Sequence, residues 1–472
     1  MVTKISNPVV PGVCYEASTK NYYQERDGVW VKQDRTMITL YLRSQGLSWS
    51  QDDKHPLSEV ETALLAISSD QYVSYAGRIA GYSAGIYKMF GNRILVTQSP
   101  DLIKPVHGAH PLLTQLCEEL FGADQIPHYY GWLHFSLKMF YEEKHKPGQA
   151  LIMAGPRECG KSLNQDLLTA MFGGTQGQPY QHMSGETSFN ADLVEATHLR
   201  ISDEAIARDA ISRAKVGAAI KKYAGESSQR CHSKGVNALE VSTLQRITMS
   251  LNNNSHDLLV IPRITDSLED KVMLFKMNHS KLVRERGGDR EEFWKALVAE
   301  LPAFIHTMLN WKIAGSGAVP CKRMGVAYHH NKELLAALGE LENHTRLLHI
   351  IDEVLFDSHS KRQEWEGKAV NLQHLLCDDF SAYHKEASQL LRSTVTCGSL
   401  LGDLEWEFPD RFSRRMLHGD NVWKIKCPVM KQTPNLSAIP DIIKKFQEDR
   451  KATLAALPGP NPKAASTGSS AT

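Results

Sequence analysis

The chain has 472 residues, 42% hydrophobic and 23% charged, the balance of a globular protein with room for roughly two to four domains. Its 54 lysines and arginines meet 53 acids, so a net charge of +1 gives no overall attraction to nucleic acid, and any such contact must come from a local patch. No 18-residue apolar run supports a membrane span, the opening Met1 to Pro8 lacks the apolar core of a signal peptide, and eight scattered cysteines without a Cys-x-x-Cys pair suit a reducing cytoplasm rather than a disulfide framework or a zinc site.

Residues 1–105 read as a small accessory α+β domain. Asn21-Tyr22-Tyr23 and Gly28 to Lys32 are short strands around a turn. Met37 to Leu42 and Glu59 to Ile67 are helical, 77–91 is glycine-rich, and Asn92 to Thr97 is a strand. This domain offers no nameable chemistry. Residues 106–147 are read as a helical collar, with Leu112, Leu113, Leu116, Leu120 and Phe121 on one apolar face and Trp132 to Phe140 continuing it. Lys146-Pro147-Gly148 breaks the helix.

The core is placed at 148–313. Ala150 to Ala154 reads as a buried parallel strand. It is followed by Gly155-Pro156-Arg157-Glu158-Cys159-Gly160-Lys161-Ser162 and then a helical pattern through Phe172. Strand, glycine-bounded loop, Gly-Lys-Ser and helix is the context of a P-loop. Glycines let the backbone wrap a phosphate, and the helix N-terminus points positive dipole at it. Lys161 can reach the β and γ phosphates of ATP, and the Ser162 hydroxyl can sit on Mg²⁺. His198 to Ser202 is a second strand, ending in Asp203-Glu204. Asp203 is expected to serve the metal and Glu204 to polarise the attacking water. Gln245 to Leu251 is a third strand, and Asn252 at its end can contact the γ-phosphate or the water.

This series of strands and polar ends, with a basic stretch between the second and third, resembles a superfamily 3 helicase. The phage and plasmid primase-helicase group, related to the poxvirus primase-helicase, is the nearer match. The resemblance follows the layout of residues 20 to 425 and is motif-specific from 150 to 277. It implies an AAA+-like P-loop ATPase core and a homo-oligomeric ring, a hexamer, with ATP between subunits. It also implies a basic hairpin gripping DNA, which falls on Ile220 to Gly235 with Lys221, Lys222, Arg230 and Lys234. The arginine pair that the family uses as a finger is replaced by Asp270-Lys271. Lys271 and Arg263 are the two candidates for that charge, and Lys lacks the bidentate fork of Arg.

Residues 314–368 read as a helical connector, containing one long helix or a pair over 332–355. At 369–430 two helices lead to a hairpin with a Gly-Asp-Asn turn, similar to the C-terminal winged helix of the related phage proteins. Alternation there puts Trp423 and Ile425 on a packed face and Lys424 and Lys426 on the other, while Arg414 and Arg415 point oppositely. A basic wing along duplex DNA is expected. The tail, 431–472, is expected to be disordered.

The resulting expectation is an ATP-dependent DNA helicase for replication of a phage, plasmid or integrated mobile element. It would use ATP and Mg²⁺ on single-stranded and forked DNA, with a separate primase partner left open and no membrane association. The alternatives are an ATP-switch initiator or loader that does not unwind processively, and a DNA-binding protein with a vestigial P-loop.

Overall fold

The computed structural model describes residues 2–427 except 5–10, 52–55, 203–209, 233–237, 287, 342, 357–361, 382 and 418. Contacts divide the chain into two units at 341/342.

The first unit is built on a five-stranded sheet. Its strands are β1 (Ala150–Gly155), β2 (Gln176–Gly177), β3 (His198–Ile201), β4 (Arg246–Asn252) and β5 (Val272–Lys276), in spatial order β2-β3-β4-β1-β5. All neighbours are parallel. Parallel strands are covered on both faces and become continuous apolar runs, and β1 is buried at all six positions. Successive side chains point to opposite faces. Leu151 and Met153 enter one core with helices α1 (Pro111–Tyr141), α2 (Lys161–Met171) and α4 (Arg290–Leu309). Ala150, Ile152 and Ala154 enter a second core with α3 (Ala210–Gly225) and α5 (Lys332–Leu341).

The expected collar is not a separate layer. Trp132, Leu133 and Phe140 of α1 share a core with Met153 and Phe275 of the sheet. The helix breaks at Gly122, whose φ of 72° is open to glycine at little steric cost. The accessory region also joins this core through Tyr82, Tyr87 and Val96. Tyr82 Oη lies 2.9 Å from Ser242 Oγ, and Leu244 N donates to Ala80 O at 2.9 Å. Among its described residues the region carries two four-stranded sheets and two helices, and its glycine-rich 77–91 stretch contains the strand Gly85–Met89. Helix Glu59–Asp70 starts with a reciprocal Ser58–Glu61 capping box, which satisfies two otherwise orphan amides.

The second unit runs α6 (Asn343–Leu355), β6 (Glu364–Lys368), α7 (Ala369–Leu376), α8 (His384–Leu390), α9 (Thr394–Glu407), β7 (Phe412–Leu417) and β8 (Asp420–Lys426). Its sheet is antiparallel in the order β6-β8-β7. Leu347, Ile351, Trp365, Leu372, Leu401, Phe412, Trp423 and Ile425 belong to its core. The 314–368 connector is therefore divided. A small hairpin, Pro320–Cys321 with Gly325–Val326, and α5 stay in the first unit, while α6 and β6 are integral to the second.

Candidate functional site

The C-terminal edge of the parallel sheet brings the sequence-predicted loop and strand ends together. β1 leads into Gly155, where an added Cβ would lie 2.8 Å from Met277 O, too close for any side chain. Gly160, at φ 113°, closes the loop in a conformation that L-residues rarely adopt. Its missing Cβ faces Leu120 and Val283, each 3.2 Å away. Glu158 also takes a positive φ of 58°. Helix α2 starts at Lys161 with glycine as its N-cap and no side-chain cap. Its first-turn N–H groups thus get no capping oxygen from the loop, and they carry the positive end of the helix dipole. Pro156 is partly buried, Cys159 is buried, and Arg157, Glu158 and Ser162 are exposed.

Lys161 is itself buried, at 7% exposure. An ammonium out of water must be hydrogen-bonded. Its Nζ donates to Gly155 O at 2.9 Å and Pro156 O at 2.7 Å, and lies 3.4 Å from Asn252 Oδ1 and 3.9 Å from Cys159 Sγ. Burial raises the Cys159 thiol pKa, and the lysine partly offsets this. Asn252 ends β4 directly opposite Gly155 in the ladder. Its Nδ2 donates to Asp257 Oδ2 at 3.0 Å. β3 lies next to β4 and ends at Ile201 on the same edge. Asp203 and Glu204, which follow it, lie outside the described residues.

A buried polar chain fixes α2 to the sheet. Thr169 Oγ1 donates to Gln165 O and lies 2.7 Å from His198 Nδ1, while His198 Nε2 lies 2.8 Å from Thr248 Oγ1, which accepts from Gln165 Nε2 at 2.8 Å. These bonds are consistent in one direction only with a neutral imidazole carrying its proton on Nδ1. Complete burial holds the His198 pKa down at about 3, with Arg200 adding to the effect. Arg200 in turn pairs with Asp166 of α2 at 2.5 Å.

The segment after β5 forms the outer wall of the loop, and the sequence reading gave it no role. Met277 and Val283 touch the two glycines. Glu119 accepts from Ser280 Oγ at 2.7 Å and Leu282 N at 3.0 Å, and Asn278 N donates to Leu120 O at 2.9 Å. These contacts join residues more than 150 apart, so no local spacing announces them.

Other predicted site residues lie elsewhere. Lys271 precedes β5, and its carbonyl accepts from Ala150 N at the start of β1, so it stands at the opposite edge of the sheet from the loop. It pairs with Asp270, which also takes Arg323 at 3.3 Å. Arg263 lies partly buried in the irregular stretch before the short helix Asp266–Glu269. Lys221 and Lys222 belong to α3 and not to a hairpin. Lys221 Nζ donates to Ser267 Oγ at 2.5 Å, and Lys222 is exposed. A hairpin does follow, from Ser228–Cys231 paired with Leu239–Ser242, and Arg230 is exposed on it. Lys234 lies outside the described residues.

The expected basic wing is corrected more fully. Trp423 and Ile425 do pack inward, and Arg414 and Arg415, both exposed, stand opposite Trp423 and Val422 in register. Yet Lys424 pairs with Glu364 at 2.8 Å, Arg415 with Glu366 at 2.5 Å, Lys368 with Asp420 at 2.6 Å, and Arg414 with Glu405 at 3.1 Å. Arg414 also stands over the Trp423 ring. Lys426 is exposed, opposite Glu364 in register. Two of these four acids, Glu364 and Glu366, come from β6, a strand that lies in the stretch read from sequence as the connector. The face is a mosaic of ion pairs and not a bare basic strip.

The two units thus define an α/β protein: a parallel sheet with loop and strand ends gathered at one edge, followed by a smaller α/β unit. No family model and no curated protein matches the chain. Among solved structures it is similar to the A-form apo structure of the NrS-1 C-terminal region, at 12% identity and a TM-score of 0.49, over 88% of this chain and 96% of that one. It is also similar to the apo structure of the NrS-1 C-terminal region (305–718), at 14% identity and a TM-score of 0.47, over 88% and 95% of the two chains. Among the described residues, no helix is long and apolar enough to cross a membrane.

Proposed function

We propose that the loop Gly155 to Ser162 is a P-loop, that the chain is an ATPase, and that it works as a superfamily 3 type DNA helicase in replication of a phage, plasmid or integrated element. The supporting observation is the uncapped start of α2 beside a buried lysine whose described bonds all go to neutral acceptors. The residues present fit a phosphate. Two glycines stand where a Cβ would collide or strain, first-turn amides face the loop, and an anion can outcompete carbonyl oxygens for the ammonium. In open α/β sheets ligands bind at the carboxyl ends of strands where the topology switches direction. β1 is such a point, because the chain goes to β2, β3 and β4 on one side of it and then to β5 on the other.

In this reading Lys161 would turn from the loop carbonyls to the β and γ phosphates, Ser162 and Asp203 would hold Mg²⁺, and Glu204 would orient the attacking water. The metal, when bound, neutralises phosphate charge. Lys271, at the far edge, cannot serve its own loop and fits a finger acting on a neighbouring subunit in a ring. DNA contact falls to Lys222, Arg230 and Lys234, cations on flexible stems suited to phosphates of any sequence. The second unit reads as a winged helix, with helices followed by a β-hairpin.

The ion-paired wing favours one alternative, an ATP switch that loads or marks DNA without unwinding it. Hydrolysis and strand displacement, measured together on a forked duplex, test both readings. Hydrolysis with ATP-dependent displacement is expected. Hydrolysis without displacement would leave the switch, and absence of nucleotide binding would remove both.

A further inference from the structure

Asn252 is an amide between two opposite charges. Its oxygen faces the Lys161 ammonium at 3.4 Å, and its nitrogen donates to Asp257 Oδ2 at 3.0 Å. The carboxylate is itself held. Asp257 Oδ2 also accepts from Asn254 Nδ2 at 2.8 Å, and Asp257 N donates to Asn254 Oδ1 at 2.9 Å, closing the N-terminal turn of the helix Ser255–Leu258. Turning the amide over would set NH₂ against an ammonium and a carbonyl oxygen against a carboxylate. Both contacts would become donor-to-donor or acceptor-to-acceptor. Hydrogen bonds to charged partners are about twice as strong as neutral ones, so the two neighbours enforce the same orientation.

We infer that Asp257 is a positioning residue that fixes Asn252 with its carbonyl oxygen toward the loop, so that Asn252 serves the site as a hydrogen-bond acceptor and not as a donor to a phosphate oxygen. This rests on the ATPase reading and deepens it. Before nucleotide arrives the acceptor holds Lys161. Once a phosphate draws the ammonium away, the same oxygen is left facing the site, where a phosphate oxygen would be repelled and the O–H of an attacking water would be accepted. Of the two roles open to a polar amide at this strand end, Asp257 selects the second.

The test acts on Asp257 in the full-length protein and leaves Lys161 and Asn252 in place. Asp257→Ala removes the acceptor that orients the amide and should lower ATP turnover about tenfold. Asp257→Asn keeps a carbonyl oxygen where Oδ2 stood, able to accept from both Asn252 Nδ2 and Asn254 Nδ2, and should hold turnover to within about threefold of the unsubstituted chain. In both variants the affinities for ADP and for a non-hydrolysable ATP analogue should stay in their original ratio, a split between binding and turnover that a merely structural role would not give. An Asp257→Asn variant as slow as Asp257→Ala, or an Asp257→Ala variant that binds the triphosphate more tightly relative to ADP, would show that Asn252 donates to phosphate and would overturn the inference. An unsubstituted chain that binds neither nucleotide would overturn the ATPase reading itself. One that binds and turns over ATP while both variants match it would overturn this inference alone.

Discussion

The loop of the first unit and the hairpin of the second both present cations, but they hold them in opposite ways. Lys161 is buried, and its described bonds go to two carbonyl oxygens and an amide oxygen. Arg415 and Lys424 are on the surface, and each meets a carboxylate. Neutral acceptors keep an ammonium folded and solvated without cancelling its charge, so an arriving anion gains nearly the whole of it. A carboxylate cancels the charge, and an arriving phosphate has to displace an anion before it gains anything. Counting lysines and arginines along the sequence cannot separate these cases. The identity of the acceptor does.

The sharpest way to break the comparison is at the loop. Lys161→Ala should lower ATP turnover by about a thousandfold, because the main side-chain charge on the β and γ phosphates goes with it. Turnover held near that of the unsubstituted chain would mean that the buried ammonium is only a structural donor. The hairpin predicts the reverse kind of effect. Glu364→Gln with Glu366→Gln removes no cation but bares Arg415 and Lys424. Duplex DNA affinity should rise severalfold, and its log–log salt slope should steepen by about 0.9 for each phosphate newly contacted. An unchanged slope, measured by titration at several salt concentrations, would mean that this face does not meet DNA even when its charges are free. Surface ion pairs of this kind contribute little to stability, so the melting temperature should barely move.

A further expected effect, on stability and not on function, concerns the polar chain beneath α2. His198 titrates at about 3 in the fold against an ordinary 6.5. Its contribution is therefore intact above pH 6.5 and is lost as pH falls toward 3, because the unfolded chain takes up the proton first. While the unfolded form alone is protonated the loss approaches about 1.4 kcal/mol per pH unit. Urea unfolding followed from pH 7 to pH 4 should show stability falling with pH, with other histidines such as His145 and His329, both held down by burial at about 4, adding to the slope, and His198→Gln should make it shallower. A slope unaffected by the substitution would mean that the imidazole is not held neutral.

Local features were legible from the residues alone. Gly155 and Gly160 mark a loop because nothing else tolerates those backbone positions. The run 150–154 marks a buried strand because a central parallel strand has no polar face. Trp423 and Ile425 mark a packed face because strands alternate. The helical stretch Met37 to Leu42 and the turn at Gly419 are legible on the same local grounds, the helix running over Arg35–Ser44 in the fold. What local sequence could not supply was the second partner of each pair. Nothing within a few residues of Lys161 says that its acceptor stands 91 residues away in Asn252, or that Met277 closes the loop from outside. Equally, nothing beside Lys424 points to Glu364, which the chain contributes from a strand on the far side of three helices. Helix α3 took Lys221 and Lys222 out of the expected hairpin because its apolar residues Val216 and Ile220 have a sheet face to cover. Lys271 went to the wrong end of β5 for its own loop because strand direction is set by the whole sheet. Sequence by itself determined conformations, since these are decided by sterics and by the 2.0 and 3.6 periods within a few residues. Only the tertiary structure decided which charges are cancelled and which are kept, since that depends on which distant strand the sheet order sets alongside.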